Sequence, residues 1–159
     1  MHNQLSRLIV RGVAMLTVVL ATTANADDEL DSRLSAGDSE LDQVREVIAT
    51  GHYAIAINKL YALREEQPDD ADVLNLLGYS YRKQGKFDQA LTYYQSALKV
   101  QPGHRGANEY LGELYLEAGQ LKKAEERLAV LDKECILSCE EFGDLKKAIY
   151  DYKQRHGLN

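Results

Sequence analysis

A period of 34 residues runs through this chain. Gly51, Gly85 and Gly119 keep that step, as do Ala56, Ala90 and Ala124, and as do Tyr53, Phe87 and Leu121. The two prolines of the sequence, Pro68 and Pro102, keep it too. A fixed repeat of this length marks a supersecondary unit that cannot bury its apolar face alone, so neighbours must stack to share a core. The period therefore predicts a quasi-linear array. It directs the search for function to a binding surface rather than a catalytic pocket.

The first 26 residues stand outside the pattern. Arg7 and Arg11 give a positive start, Val13 to Ala21 is a short apolar run, and Ala24-Asn25-Ala26 is a small-x-small cleavage signature ahead of Asp27-Asp28-Glu29. This is the layout of a secretory signal peptide. The run is too short for a stable membrane anchor, which needs about 20 apolar residues. No Cys follows the cleavage point and no twin arginine precedes it. Export to the periplasm, or secretion, is the expected localisation, with a mature chain starting at Asp27.

The whole chain carries a net charge of −6. The leader holds two of the 19 basic residues and no acid, so the remainder sets 17 basic against 25 acidic residues, a net −8. Such a chain repels phosphate backbones and anionic membrane surfaces, and no nucleic-acid partner is expected. Residues 27–38 are acidic with few apolar side chains and read as a flexible lead-in. The length that remains suits one domain over residues 39–155.

The clearest unit runs from Ala71 to Pro102. Leu74, Leu77, Gly78 and Tyr81 share one helical face. Gln84-Gly85-Lys86 breaks that helix, and Asp88 is placed to cap the next. Phe87, Ala90, Leu91, Tyr94, Ala97 and Leu98 then form a second apolar stripe. Gly78 and Ala90 are small where two antiparallel helices must approach closely. Pro102 ends the unit.

The motif L-x-x-L-G-x-x-Y, then G-x-F, then A-x-x-x-Y-x-x-A, then P, resembles the tetratricopeptide repeat at the family spacing. The resemblance implies an all-α fold. It would be a right-handed α-solenoid of about three helix-turn-helix units, at 37–70, 71–104 and 105–138, with a C-terminal capping helix over 140–155. The third unit keeps Leu111, Gly112, Tyr115, Gly119, Leu121, Ala124, Leu128 and Leu131. It departs at Asn108, in an apolar position, and at Ile136, where proline is usual. The first unit keeps Gly51, Tyr53, Ala56, Leu60, Leu63 and Pro68. Glu40 and Val44 stand in its first helix where an apolar and a small residue belong, so that helix should be short, loosely packed or shifted. In the end helix Phe142, Leu145, Ala148, Ile149 and Tyr152 recur at helical spacing. Ser138 and Glu141 form a capping box ahead of it, and Gly157 suits its end.

Cys135 and Cys139 carry the local chemistry. In an oxidising compartment, two cysteines and no others suggest a disulfide, here tying the end helix to the array. Two alternatives stay open: a redox pair, which lacks a C-x-x-C on a βαβ scaffold, and a soft-metal site, for which His52, His104 and His156 lie far off in sequence. Glu125-Glu126 and Glu140-Glu141 read as solvated surface. Ten tyrosines suggest a stacking platform, but Tyr53, Tyr81, Tyr94 and Tyr115 fall at core positions of the repeat. There is no phosphate loop, nucleophile elbow or Ser/His/Asp set, so no enzyme activity, cofactor or resident metal is expected.

The family resemblance implies that the first helix of each unit lines a concave groove. By phase its lining would be Leu41, Arg45 and Ile48, then Asn75, Tyr79, Arg82 and Lys83, then Glu109, Glu113, Leu116 and Glu117. The groove would be basic in the middle unit and acidic in the third. Tyr79 would be the central anchor. Some family members clamp a terminal carboxylate with Lys and Asn here. Tyr79 and Glu113 occupy the position where that Asn would stand, so the clamp is not matched. The expected function is a protein-protein adaptor holding a partner polypeptide. A redox or metal-handling protein and a self-assembling homo-oligomer are the rival readings.

Overall fold

The computed structural model describes residues 40–137 and 139–158. The expected leader and acidic lead-in, and Ser138 of the expected capping box, lie outside the described residues. Among the described residues the chain is helix and turn: α1 (40–49), α2 (Tyr53–Glu66), α3 (Ala71–Lys83), α4 (Phe87–Val100), α5 (Arg105–Glu117), α6 (Leu121–Glu134) and α7 (Glu140–His156). It is a solenoid of helix pairs, with α3 packed on α4, α5 on α6, and α7 on both α5 and α6.

The turns follow from the repeated glycine. Gly51, Gly85 and Gly119 take φ of +79°, +73° and +72°. An L side chain is strained there, so glycine recurs at each first-to-second helix turn. The turns between units use a side-chain cap instead. Asp70 accepts from the Val73 amide at 3.0 Å, and 34 residues later His104 Nδ1 accepts from the Ala107 amide at 3.0 Å. Lys86, not Asp88, is the cap residue of α4. It makes no side-chain cap bond, and Asp88 sits inside the first turn, where its charge favours the positive helix end. In α7 the cap position falls to Cys139, again without a side-chain bond.

Packing rests on matched volumes. Gly78 lets α4 approach so closely that a Cβ built there would stand 2.6 Å from Cδ1 of Tyr94, whose ring is fully buried. In the third unit the partner changes. A Cβ at Gly112 would stand 2.6 Å from Cδ2 of Leu145, so α7 fills that gap. In the first unit Val44 occupies the glycine column and Leu60 the Tyr94 column, both buried in one cluster with Leu41, Ala56 and Leu77. Two middle-sized side chains there replace a small and a large one. The expectation of a loosely packed first helix is therefore corrected. Asn108, the polar intruder of the third unit, is fully buried and satisfied. Its Nδ2 donates to the carbonyls of Pro102 and His104 at 3.0 Å, and its Oδ1 accepts from Arg127 at 3.3 Å. Phe87, on the predicted core stripe, is half exposed at the start of α4.

Ala90 is fully buried against Tyr94, Leu111 and Leu114. Ala90→Leu overpacks that contact and should cost about 1–3 kcal/mol in urea unfolding. An unchanged midpoint would put Ala90 elsewhere.

Candidate protein-binding face

The curvature follows from which backbones meet. α3 touches α5, and α5 touches α7, while the backbones of α2 and α4, and of α4 and α6, stay apart. The first helices are thus the crowded, inner side, and their free stripe faces the groove.

Tyr79 stands half-buried on that stripe. Its ring centroid lies 4.9 Å from that of Tyr110 and 6.5 Å, edge-on, from Tyr53. Tyr110 continues to the buried Tyr94 at 6.2 Å. The ammonium of Lys83 sits 5.1 Å above the Tyr79 ring, a cation–π contact. Three aromatic rings from α2, α3 and α5 therefore line up beside one another. Tyr53, placed in the core by its repeat position, belongs to this line instead. Helical phase did not single out Tyr110, although it lies three residues before Glu113 and so on the same helical face.

The charged residues differ from the expected split. Arg82 is not a free cation. Its guanidinium donates to Glu113 and Glu117, with Nε 3.0 Å from Glu117, and only 12% of its side-chain surface is exposed. Burial works against the Arg82 charge, but these two carboxylates hold the proton more firmly than usual. The Arg82 charge is met by the third unit's acids, which lie on the next first helix, while the Lys83 ammonium stays over the Tyr79 ring. Arg45 is likewise engaged, with Asp42 at 2.9 Å and Asp72 at 3.4 Å. Asp72 in turn accepts from His104 Nε2 at 3.0 Å, so one chain of contacts links α1, α3 and the start of α5. The His104 bond is the main reason the Asp72 carboxyl titrates below its usual range.

Three expected groove residues are not in the groove. Leu41, Asn75 and Glu109 share one register position, and each is at least nine-tenths buried. The position points sideways at the next first helix. Nδ2 of Asn75 lies 3.0 Å from where a Cβ of Gly106 would be. Ile48 packs partly against the first core cluster, and Leu116 is buried against Ala124, Leu131, Leu145 and Ile149. Of the expected lining, the structure brings Tyr79, Arg82, Lys83, Glu113 and Glu117 together. It adds a cavity of about 330 Å³ walled by Arg82, Glu113 and Glu117 on one side and by Asp151, Tyr152, Arg155 and His156 of α7 on the other. Of the α7 wall the sequence singled out only Tyr152, on the apolar stripe of the end helix; Asp151, Arg155 and His156 carried no signal of their own.

Burial pushes the Glu109 carboxyl up to about 8, and the charges of Glu113, Asp144, Glu141 and Glu140 add to it. The folded chain holds a proton there that the unfolded chain releases near pH 4.5. Stability is therefore highest below about pH 4.5 on this account and falls as pH rises through about 8. Glu109→Gln keeps the shape without the charge. It should raise unfolding free energy at pH 9 by about 2 kcal/mol, the full shift being discounted for solvent screening, and leave it unchanged at pH 4.5. Thermal melts across that range check both.

The sulfurs of Cys135 and Cys139 lie at bonding distance, with Cα atoms 5.6 Å apart. Between them Ile136 and Leu137 are almost fully exposed. Among the described residues no cluster of three or more metal-ligating side chains occurs, and no helix is long and apolar enough to cross a membrane.

The sequence profile of the tetratricopeptide repeat matches residues 41–85 and 75–134. The chain belongs to the tetratricopeptide repeat family. A curated relative is the tetratricopeptide repeat domain-containing protein PYG7, chloroplastic, of Arabidopsis thaliana, 32% identical over 104 residues. That match covers 60% of this chain and 35% of the relative, so the repeat protein spans about a third of its relative's length. The fold is shared with the type III secretion translocator chaperone SycD of Yersinia enterocolitica, with a TM-score of 0.66 at 17% identity, covering 76% of this chain and 86% of SycD. It is shared also with SycD in complex with a peptide of the translocator YopD, with a TM-score of 0.62 at 19% identity, covering 74% and 89%. The first tetratricopeptide domain of Spaghetti (RPAP3), bound to an HSP90 peptide, aligns with a TM-score of 0.62 at 15% identity, covering 72% and 91%.

Proposed function

We propose that this tetratricopeptide repeat chain is an exported, non-catalytic adaptor that holds a segment of a partner polypeptide on its inner face. The observation that carries the reading is the line of Tyr53, Tyr79 and Tyr110 rings, half-open beside the Arg82–Glu113–Glu117 cluster. Rigid aromatic surface next to fixed charge is the composition of binding hot spots. The YopD and HSP90 peptides held by proteins of this fold support the peptide mode. The leader-like residues 1–26 support export. A disulfide between Cys135 and Cys139 would suit an oxidising compartment.

The test is photo-crosslinking in the native host from a reactive side chain at position 79. One dominant heterologous adduct supports the adaptor. Self-adducts alone, or none while a probe on the α4 surface labels well, would overturn it. Sequencing the mature N-terminus tests export, with Asp27 the expected first residue. Two free thiols on native protein would favour the redox reading.

A further inference from the structure

The second helices of the units leave a gap between neighbours, because the backbones of α2 and α4, and of α4 and α6, do not meet. The chain closes the first gap with tyrosine. The Tyr61 hydroxyl lies 2.8 Å from that of Tyr81 and 2.9 Å from that of Tyr93. The Tyr61 ring stands edge-on to that of Tyr93 with centroids 6.5 Å apart, and the Tyr81 and Tyr93 rings stack at 5.5 Å. One period later the residues differ. Gln95 stands 34 residues after Tyr61, Tyr115 after Tyr81, and Arg127 after Tyr93. Arg127 turns to the buried Asn108, donating to its Oδ1 at 3.3 Å. Of the three phenols only the Tyr81 counterpart, Tyr115, is kept. The second gap stays open as a cavity of about 270 Å³, whose lining includes Phe87, Leu91, Gln95, Leu114, Tyr115 and Ala118. Burial reports the vacancy. Ile57 is 7% exposed, whereas Leu91, its counterpart, is only partly buried and Phe87 is 50% exposed. A cavity of about 150 Å³ is enough to hold benzene, so this one has room for an aromatic ring. Residues 1–39 contain no Phe, Tyr or Trp, so they cannot supply it.

We propose that the cleft between α4 and α6 takes a tyrosine side chain of a partner polypeptide, seated as Tyr61 is seated one unit earlier. The repeat itself specifies the occupant: a ring supplied from within at one seam is supplied from outside at the next. The incoming hydroxyl would meet that of Tyr115, as Tyr61 meets Tyr81. The ring would cover Leu91 and the exposed flank of Phe87, burying apolar surface that the fold leaves open. Of the inner-face cluster only Glu117 also lines this cleft. The proposal is therefore independent of the groove reading.

The probes are capped pentapeptides, Gly-Ser-X-Ser-Gly, with tyrosine, phenylalanine or leucine at X, titrated into the isotope-labelled chain while amide shifts are followed. The tyrosine peptide should move the amides of Leu91, Gln95, Tyr115 and Ala118 saturably. Phenylalanine should bind about threefold more weakly, for want of the hydroxyl, and leucine about tenfold. Gln95→Tyr rebuilds the Tyr61 arrangement from within. It should abolish these shifts while the chain melts no lower than the parent. Phe87→Ser removes part of the exposed wall without entering the core, and should weaken the tyrosine peptide about fivefold. It keeps the test open if Gln95→Tyr does not fold. Shifts that persist in Gln95→Tyr, or affinity unchanged in Phe87→Ser, would overturn the proposal. So would equal binding of the three peptides, or no shift at all. Shifts confined to Tyr53, Tyr79 and Tyr110 would overturn it while supporting the groove. If the same amides move on raising the concentration of the chain alone, with a matching rise in mass by light scattering, the cleft belongs to a second copy and the partner reading is overturned.

Discussion

Tyr94→Ala is expected to remove about 3–5 kcal/mol of stability, the usual cost of emptying a large aromatic site. Tyr94 is fully buried, fills the gap left by Gly78, and lies tilted against Tyr110 of the next unit. Its ring therefore belongs to two units at once. In a linear array, stability is the sum of unit and interface contributions, and this change lowers two of them together. Denaturant melts should show a much reduced midpoint. The slope should fall as well, because the first unit and the third no longer unfold as one. A loss below about 1 kcal/mol would mean that the site collapses onto Gly78 and needs no ring.

Leu145→Ala is expected to cost about 2–5 kcal/mol, and the loss should be local. Leu145 is fully buried against Gly112, and with Ile149 it is the apolar hold of α7 on the array. Amide exchange in α7 should accelerate far more than in α3 or α4. The Cys135–Cys139 pair lies before the helix and does not replace that hold. Equal acceleration throughout would show that α7 and the core unfold as a single unit.

Much of this was legible in the residues themselves. The glycine column placed the turns, and the small residues at 78 and 90 placed the close approach within the middle unit, because each answers a constraint local to one unit. The path of the groove was legible less well. Helical phase separates the core stripe from its opposite, but not the groove from the flank that faces the next unit. Leu41, Asn75 and Glu109 therefore looked exposed and are buried. Arg82 looked free because its acceptors, Glu113 and Glu117, come 31 and 35 residues later. The Gly112–Leu145 contact was hidden too. In the preceding unit the same glycine meets a ring of its own unit, and only the three-dimensional position of α7 redirects it.

The repeated turns are limited by conformation and not by room. A Cβ at Gly51 or Gly85 would touch nothing within 4 Å, and at Gly119 only the Tyr152 hydroxyl, at 3.9 Å. What forbids a side chain is handedness. A mirror-image residue has the opposite preference, so D-alanine introduced at these turns by chemical ligation would fit the backbone already present. It would restrict the unfolded chain without altering a native contact, adding about 0.4–1 kcal/mol at each turn. The array could thus be stiffened hinge by hinge from its rim while the tyrosine line is left as it is.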